Sequence, residues 1–160
     1  MPYTHTFTAH LSWPEAQTIT PSSTRIYNKN HQVSIEGKAA LSLSAAKAFK
    51  GDPSRLNPED LLLSSLMSCH MMSYRYVCEQ QGIEIISYTD RGQAFLETYP
   101  DGSGKISKVQ LNPVVCISNP AQLDLALSLH AQAHKLCFIA NSCAFPVQHQ
   151  ASCSAAAGNT

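Results

Sequence analysis

The stretch LNPEDLLLSSLMSCHMMSYRYVCEQQG, residues 56–82, decides the fold. It opens with helix-start signals: Asn57 is a good N-cap, Pro58 suits the first helical position, and Glu59 and Asp60 put negative charge where the helix dipole favours it. Gly82 closes it. A helix over 58–81 would be roughly 36 Å long at about 1.5 Å per residue, enough to cross a small domain. No Asp, Glu, Lys or Arg lies between Asp60 and Arg75, so the middle of this helix is expected to be surrounded by protein rather than laid on a surface. The uncharged run 61–74 contains Ser64, Ser65, Ser68 and His70; it is too short and too polar for a membrane span of about 20 apolar residues. A thiol, Cys69, sits in its middle.

Working outward, the first 50 residues look β-rich, with two short strands at 26–27 and 32–35 around the polar turn Asn28-Lys29-Asn30. A short helix over 44–49 precedes a loop punctuated by Gly51, Pro53 and Pro58. Beyond Gly82, IEIISYTDRGQAFLETY alternates as a strand, PDGSG is a turn, and KISKVQLNPVVCIS is a second strand, an antiparallel hairpin by its turn chemistry. Asn119-Pro120 opens a second helix ending near Cys137, AFPVQH reads as a last short strand, and residues 151–160 have the composition of a flexible tail. The expected fold class is α+β in one domain over 1–160, with a mainly antiparallel sheet. One small sheet cannot cover both sides of so apolar a helix, so a dimer in which central helices meet is expected.

The chain of 160 residues carries eleven basic and eleven acidic side chains. That balance argues against nucleic acid and anionic membranes as partners. Its first residues are polar and lack a signal-like apolar segment, so a cytoplasmic location is expected. The six cysteines include no CxxC pair, and isolated thiols with separate roles are the better reading.

Cys69 lies in register with Leu62, Leu66 and Ser73. Taken alone it reads as a small buried hydrophobe. A reactive thiol there needs a nearby cation, because apolar surroundings disfavour the thiolate and the mid-helix position offers no dipole. Arg75 is six residues on, about 240° around the helix, and points elsewhere. Arg25 and Lys29 would have to come in through tertiary or dimer contacts. Glu59 reads either as a first-turn acid or as a carboxylate that grips and aims an arginine. Cys137, at the end of the second helix, is expected to stay protonated and would suit a resolving thiol. Cys78 and Cys116 read as packing residues, Cys153 as part of the tail, and Cys143 as a backup thiol at most. His130, His134 and Cys137 share one helical face and form a rival metal set, but HExxH lacks its Glu, since Ala131 stands there.

The segments FKGDPSRLNPEDLLLSSLMSCHM and AHKLCFIANS resemble the OsmC/Ohr family of thiol peroxidases, with NPE, a cysteine ten residues after the Glu, and AHxxC about 70 residues later. The likeness covers most of 27–149 and is to the OsmC-like branch with SCHM and CFIANS. The resemblance implies an intertwined α+β homodimer with sites at the subunit interface. It implies Cys69 as peroxidatic cysteine, Cys137 as resolving cysteine and Glu59 as the arginine-orienting acid. It also implies an organic hydroperoxide substrate, an external dithiol or lipoyl-type reductant, and no metal or organic cofactor. Leu62, Leu66 and Met72 are expected as apolar pocket walls. The chain departs from the family where relatives carry Arg in YxRxH: YNKNH places Lys29 there, and either Lys29 or Arg25 would supply the cation. The alternative is a hydrophobic-ligand or redox-sensing module of the same fold with little turnover.

Overall fold

In a computed structural model, residues 2–13 and 29–156 are described. Helix α1, Pro58–Gln80, begins where the capping signals place it. Asn57 Oδ1 accepts from Asp60 N–H at 2.8 Å and Asp60 Oδ2 accepts from Asn57 N–H at 3.1 Å, a reciprocal capping box. The helix ends at Gly82, whose φ of 64° is the left-handed conformation glycine adopts without strain, and Ile83 N–H returns to Cys78 O at 2.9 Å.

The chain divides into two compact units, 1–61 and 62–160. In the first, β1 (His10–Ser12), β2 (His31–Ser34) and β3 (Leu41–Leu43) form an antiparallel sheet in that order, with Val33 opposite both Leu11 and Leu41. The strand expected at 26–27 lies outside the described residues. A 3-10 turn, Lys47–Phe49, stands where a short helix over 44–49 was expected. Buried Ser44 ties the following loop, donating its N–H to Leu56 O and accepting Asp52 N–H at Oγ.

The second unit carries β4 (Ile85–Asp90), β5 (Gln93–Thr98), β6 (Gly104–Leu111) and β7 (Pro113–Ile117), followed by α2 (Leu123–Leu136), α3 (Phe138–Asn141), β8 (Val147–His149) and β9 (Ser152–Ala155). The two long strands of the expected hairpin are each broken once. Asp90 Oδ1 accepts Asn112 N–H at 2.7 Å and Asn112 Nδ2 donates to Arg91 O, so both strands interrupt at the same level. Each half then joins a different sheet, β4–β7–β9 or β5–β6–β8. At the break, a Cβ on Gly92 would lie 3.0 Å from Met67 Sδ and 3.1 Å from Leu63, so glycine lets the chain pass close to α1.

The expectation of a flexible tail over 151–160 is corrected at 152–155 by β9, which pairs in parallel with β7 and places Cys153 opposite Val115; residues 157–160 lie outside the described residues. Strand β8 likewise runs parallel to β6, so both sheets are mixed. Short polar side chains disguise β9 as a tail, because its strand character comes from its neighbour's hydrogen bonds.

One core gathers Tyr74, Val77 and Cys78 of α1 with Ala126, Leu129 and Ala133 of α2 over Val115 and Ile117 of β7. A second packs Leu66 against Val109 and Leu111 of β6, with Leu62 at its margin. Among the described residues, α1 is not surrounded on every side. Leu66, His70, Tyr74 and Val77 make one buried stripe at helical spacing, while Met72 and Tyr76 remain 57% and 56% exposed.

Candidate active site

Cys69 lies mid-way along α1, partly exposed, and Cys137 is buried at the junction of α2 and α3. The two thiols lie near enough to influence each other's protonation, and both are free. Burial first, and the interaction with Cys69 second, push the Cys137 thiol up to about 11, so Cys137 stays protonated near neutral pH. Its place at the helix end predicts protonation; the stronger cause is desolvation. Cys137 Sγ also accepts Ala140 N–H at 3.4 Å, which caps α3 and fixes the sulfur's position.

Cys69 opens on an apolar cleft of about 360 Å³ that it lines with Met72, Ser73, Tyr76, Leu136 and Phe138, while Cys137 stays buried behind it. None of these six is charged. Phe138, directly after Cys137, is 80% exposed and forms one lip. Of the expected walls, Met72 is in the cleft. Leu66 is instead fully buried with Val109 and Leu111, and Leu62 packs against that cluster, about one and two helical turns before Cys69. Tyr76, Leu136 and Phe138 were missed: their apolar character was visible, but which faces meet at Cys69 was not.

Arg75 lines a different and larger cleft of about 530 Å³ with Met71, Glu79 and Ile86, as its place around the helix foretold. Lys29 and Glu59 belong to the first unit. Lys29 Nζ donates to Phe49 O. One carboxylate oxygen of Glu59 is buried and, among the described residues, has no hydrogen-bond partner, a group that strongly invites a cation. Arg25 lies outside the described residues.

Beside the thiols lies a cluster of imidazoles. His70 Nε2 and His130 Nδ1 share a hydrogen bond of 3.1 Å, both residues being 1% exposed. His149 of β8 sits 5.4 Å from His70 and 6.0 Å from His130 between ring centroids, and His134 sits 5.7 Å from His149. Tyr74 stacks on His130 at 3.8 Å and donates its hydroxyl to Ala126 O. Burial, reinforced by the neighbouring imidazoles, lowers His70 to about 4 and His130 to about 3, and lowers His149. Among the described residues, no three His, Cys, Asp or Glu side chains stand where one metal ion could be held, so His130, His134 and Cys137 do not assemble as a metal site. His130 turns toward His70 instead.

The sequence profile of the OsmC-like protein family matches residues 51–152, which span Cys69, Cys137 and the strands between them. The chain belongs to the OsmC-like family. Among solved structures it is similar to an OsmC-like protein of unknown function from Vibrio cholerae, with 25% identity, a TM-score of 0.79 and coverage of 92% of this chain and 99% of that one. An organic hydroperoxide resistance protein from Elizabethkingia anophelis shares the fold at 16% identity and TM-score 0.71, covering 98% of this chain and 100% of its own. One from Legionella pneumophila does so at 20% identity and TM-score 0.65, covering 94% and 97%. No curated protein matches by sequence.

Proposed function

We propose that this chain is a cysteine peroxidase that reduces organic hydroperoxides. The observation that carries the reading is a Cys69 that lines an apolar, uncharged cleft with the buried Cys137 thiol close behind it. The Cys69 thiolate attacks the peroxide O–O bond; the distal oxygen stays on sulfur as a sulfenic acid, and the alkoxide leaves as alcohol after taking a proton. The Cys137 sulfur then attacks the Cys69 sulfur, its proton leaves with the hydroxyl as water, and a disulfide forms. An external dithiol restores both thiols by exchange and is itself oxidised to a disulfide.

The division of labour follows from environment. Cys137, desolvated and protonated, is a poor first nucleophile but is placed to resolve. Cys69 faces the cleft. Glu59, with one unmatched buried oxygen, would hold the cation that activates Cys69. The exposed Met72, Tyr76 and Phe138 support a second copy of the chain covering this face as a homodimer.

Turnover with an alkyl hydroperoxide and a dithiol, lost in Cys69→Ser, is the expected result. A protein that binds an apolar ligand yet leaves alkyl hydroperoxide unconsumed would instead be a ligand-binding or redox-sensing module. Lys29, engaged with Phe49 O where relatives carry arginine, favours that second reading.

A further inference from the structure

The helices that carry the two thiols are joined by few polar side-chain links, and these follow one line. Seven residues, about two helical turns, separate His130 from Cys137, so they share a face of the helical segment, while His70 directly follows Cys69. From Cys69 up α1 to His70 and Tyr74, the contacts move down α2 from Cys137 to His130 and Ala126. The His70–His130 bond of 3.1 Å therefore lies between the level of the two thiols and the Tyr74–Ala126 bond of 3.0 Å. The His70 and His130 rings lie 11° from parallel with centroids 5.3 Å apart, bonded edge to edge, and Tyr74, stacked on His130 at 3.8 Å, keeps that imidazole from rotating out of the bond. His70 Nδ1 and His130 Nε2 are buried and, among the described residues, have no partners. A polar pair in a core at that cost holds one geometry where apolar side chains would allow several.

We propose that His70 and His130 are positioning residues for the Cys69–Cys137 pair, their shared hydrogen bond setting the approach of α1 to α2 that lets the two sulfurs join. This rests on the reading of Cys69 and Cys137 as a reversible disulfide pair, though not on peroxide as the oxidant. Disulfide geometry is narrow. A small change in helix spacing therefore lowers the effective concentration of one thiol at the other and shifts the dithiol/disulfide equilibrium toward dithiol.

The test is that equilibrium, measured in glutathione redox buffers with the disulfide mapped by mass. Oxidised glutathione takes two electrons from the dithiol and leaves as two reduced molecules, so no peroxide is needed. His70→Leu and His130→Leu are expected to shift the constant about tenfold toward dithiol, equivalent to about 30 mV for this two-electron couple. His70→Gln and His130→Asn, whose amides reach the positions of Nε2 and Nδ1, are expected to restore it to within threefold. His130→Gln displaces the amide by one carbon and gives a second contrast where the leucine variants do not fold: it should resemble loss of the bond, not rescue.

Equal constants for wild type, His130→Asn and His130→Gln would overturn the proposal. A shifted constant in a protein inert to peroxide would overturn only the peroxidase reading. Absence of any Cys69–Cys137 disulfide at the most oxidising ratio would remove the pair itself, and this inference with it.

Discussion

Cys137 is buried near Cys69 with its thiol pushed up to about 11, while Cys69 is partly exposed on the cleft, so the two sulfurs stand in unequal surroundings. The consequence is an order of events. Cys137→Ser should leave the first oxidation of Cys69 within about threefold of wild type but remove the resolving thiol. With excess alkyl hydroperoxide and no reductant, the variant should then accumulate sulfinic acid at Cys69. Peptide mass mapping checks this; an unmodified Cys69 would contradict it.

The cleft walls should set substrate choice. Truncating Phe138 or Met72 to alanine removes apolar area that a bulky alkyl group would cover and that hydrogen peroxide cannot use. A loss of about 1.4 kcal/mol in such contact is tenfold in rate at limiting substrate. The ratio of kcat/KM for cumene hydroperoxide to that for hydrogen peroxide is expected to fall about tenfold in Phe138→Ala. An unchanged ratio would place the substrate elsewhere.

The cation can be assigned by charge deletion. Lys29 is occupied with Phe49 O, whereas Glu59 keeps a buried oxygen unmatched among the described residues. Arg25→Met is accordingly expected to slow Cys69 oxidation tenfold or more and Lys29→Met by less than threefold, as measured by stopped-flow thiol consumption. The reverse order would assign the role to Lys29. Glu59→Gln should slow the reaction like Arg25→Met while leaving the melting temperature close to wild type.

The imidazole cluster makes the fold acid-sensitive. His70 and His130 titrate near 4 and 3 in the folded chain, below their ordinary 6.5, because burial disfavours the charged form. The groups facing them are Tyr74 on α1, His134 on α2 and His149 on β8, none of which offers negative charge near neutral pH. The unfolded chain therefore binds more protons between those values and 6.5, so stability is fully present above about pH 6.5 and lost as pH falls toward 4. Each tenfold loss of proton affinity on folding is worth about 1.4 kcal/mol, which makes the total on the order of a few kcal/mol. Urea unfolding at pH 7 and pH 4.5 checks this. His70→Gln should flatten the dependence, and a wild-type midpoint equal at both pH values would contradict it.

What could be read in the sequence was local. Asn57, Pro58 and Gly82 mark the ends of α1 because capping is a contact over three or four residues, and Asn119 announces its turn for the same reason, accepting Ala121 N–H. The strand breaks at Asp90 and Asn112 could not be read, since they depend on a hydrogen bond across 22 residues. Strand β9 and the core position of Leu66 are likewise set by neighbours distant in sequence. Cys69 and Cys137 were identifiable from their spacing within a family pattern. His70 is visible in the sequence as a polar residue of the uncharged run, but its partners are not; only folding brings His130 and His149 to it.

The central claim is that Cys69 and Cys137 work as a peroxide-oxidised pair, and intact mass with disulfide mapping tests it most directly. One equivalent of alkyl hydroperoxide added to the fully reduced protein should lower the mass by two hydrogens and yield a Cys69–Cys137 disulfide, reversed by dithiol. Recovery of unreacted thiols, or of Cys69 sulfinic acid without the disulfide in wild type, would contradict the account.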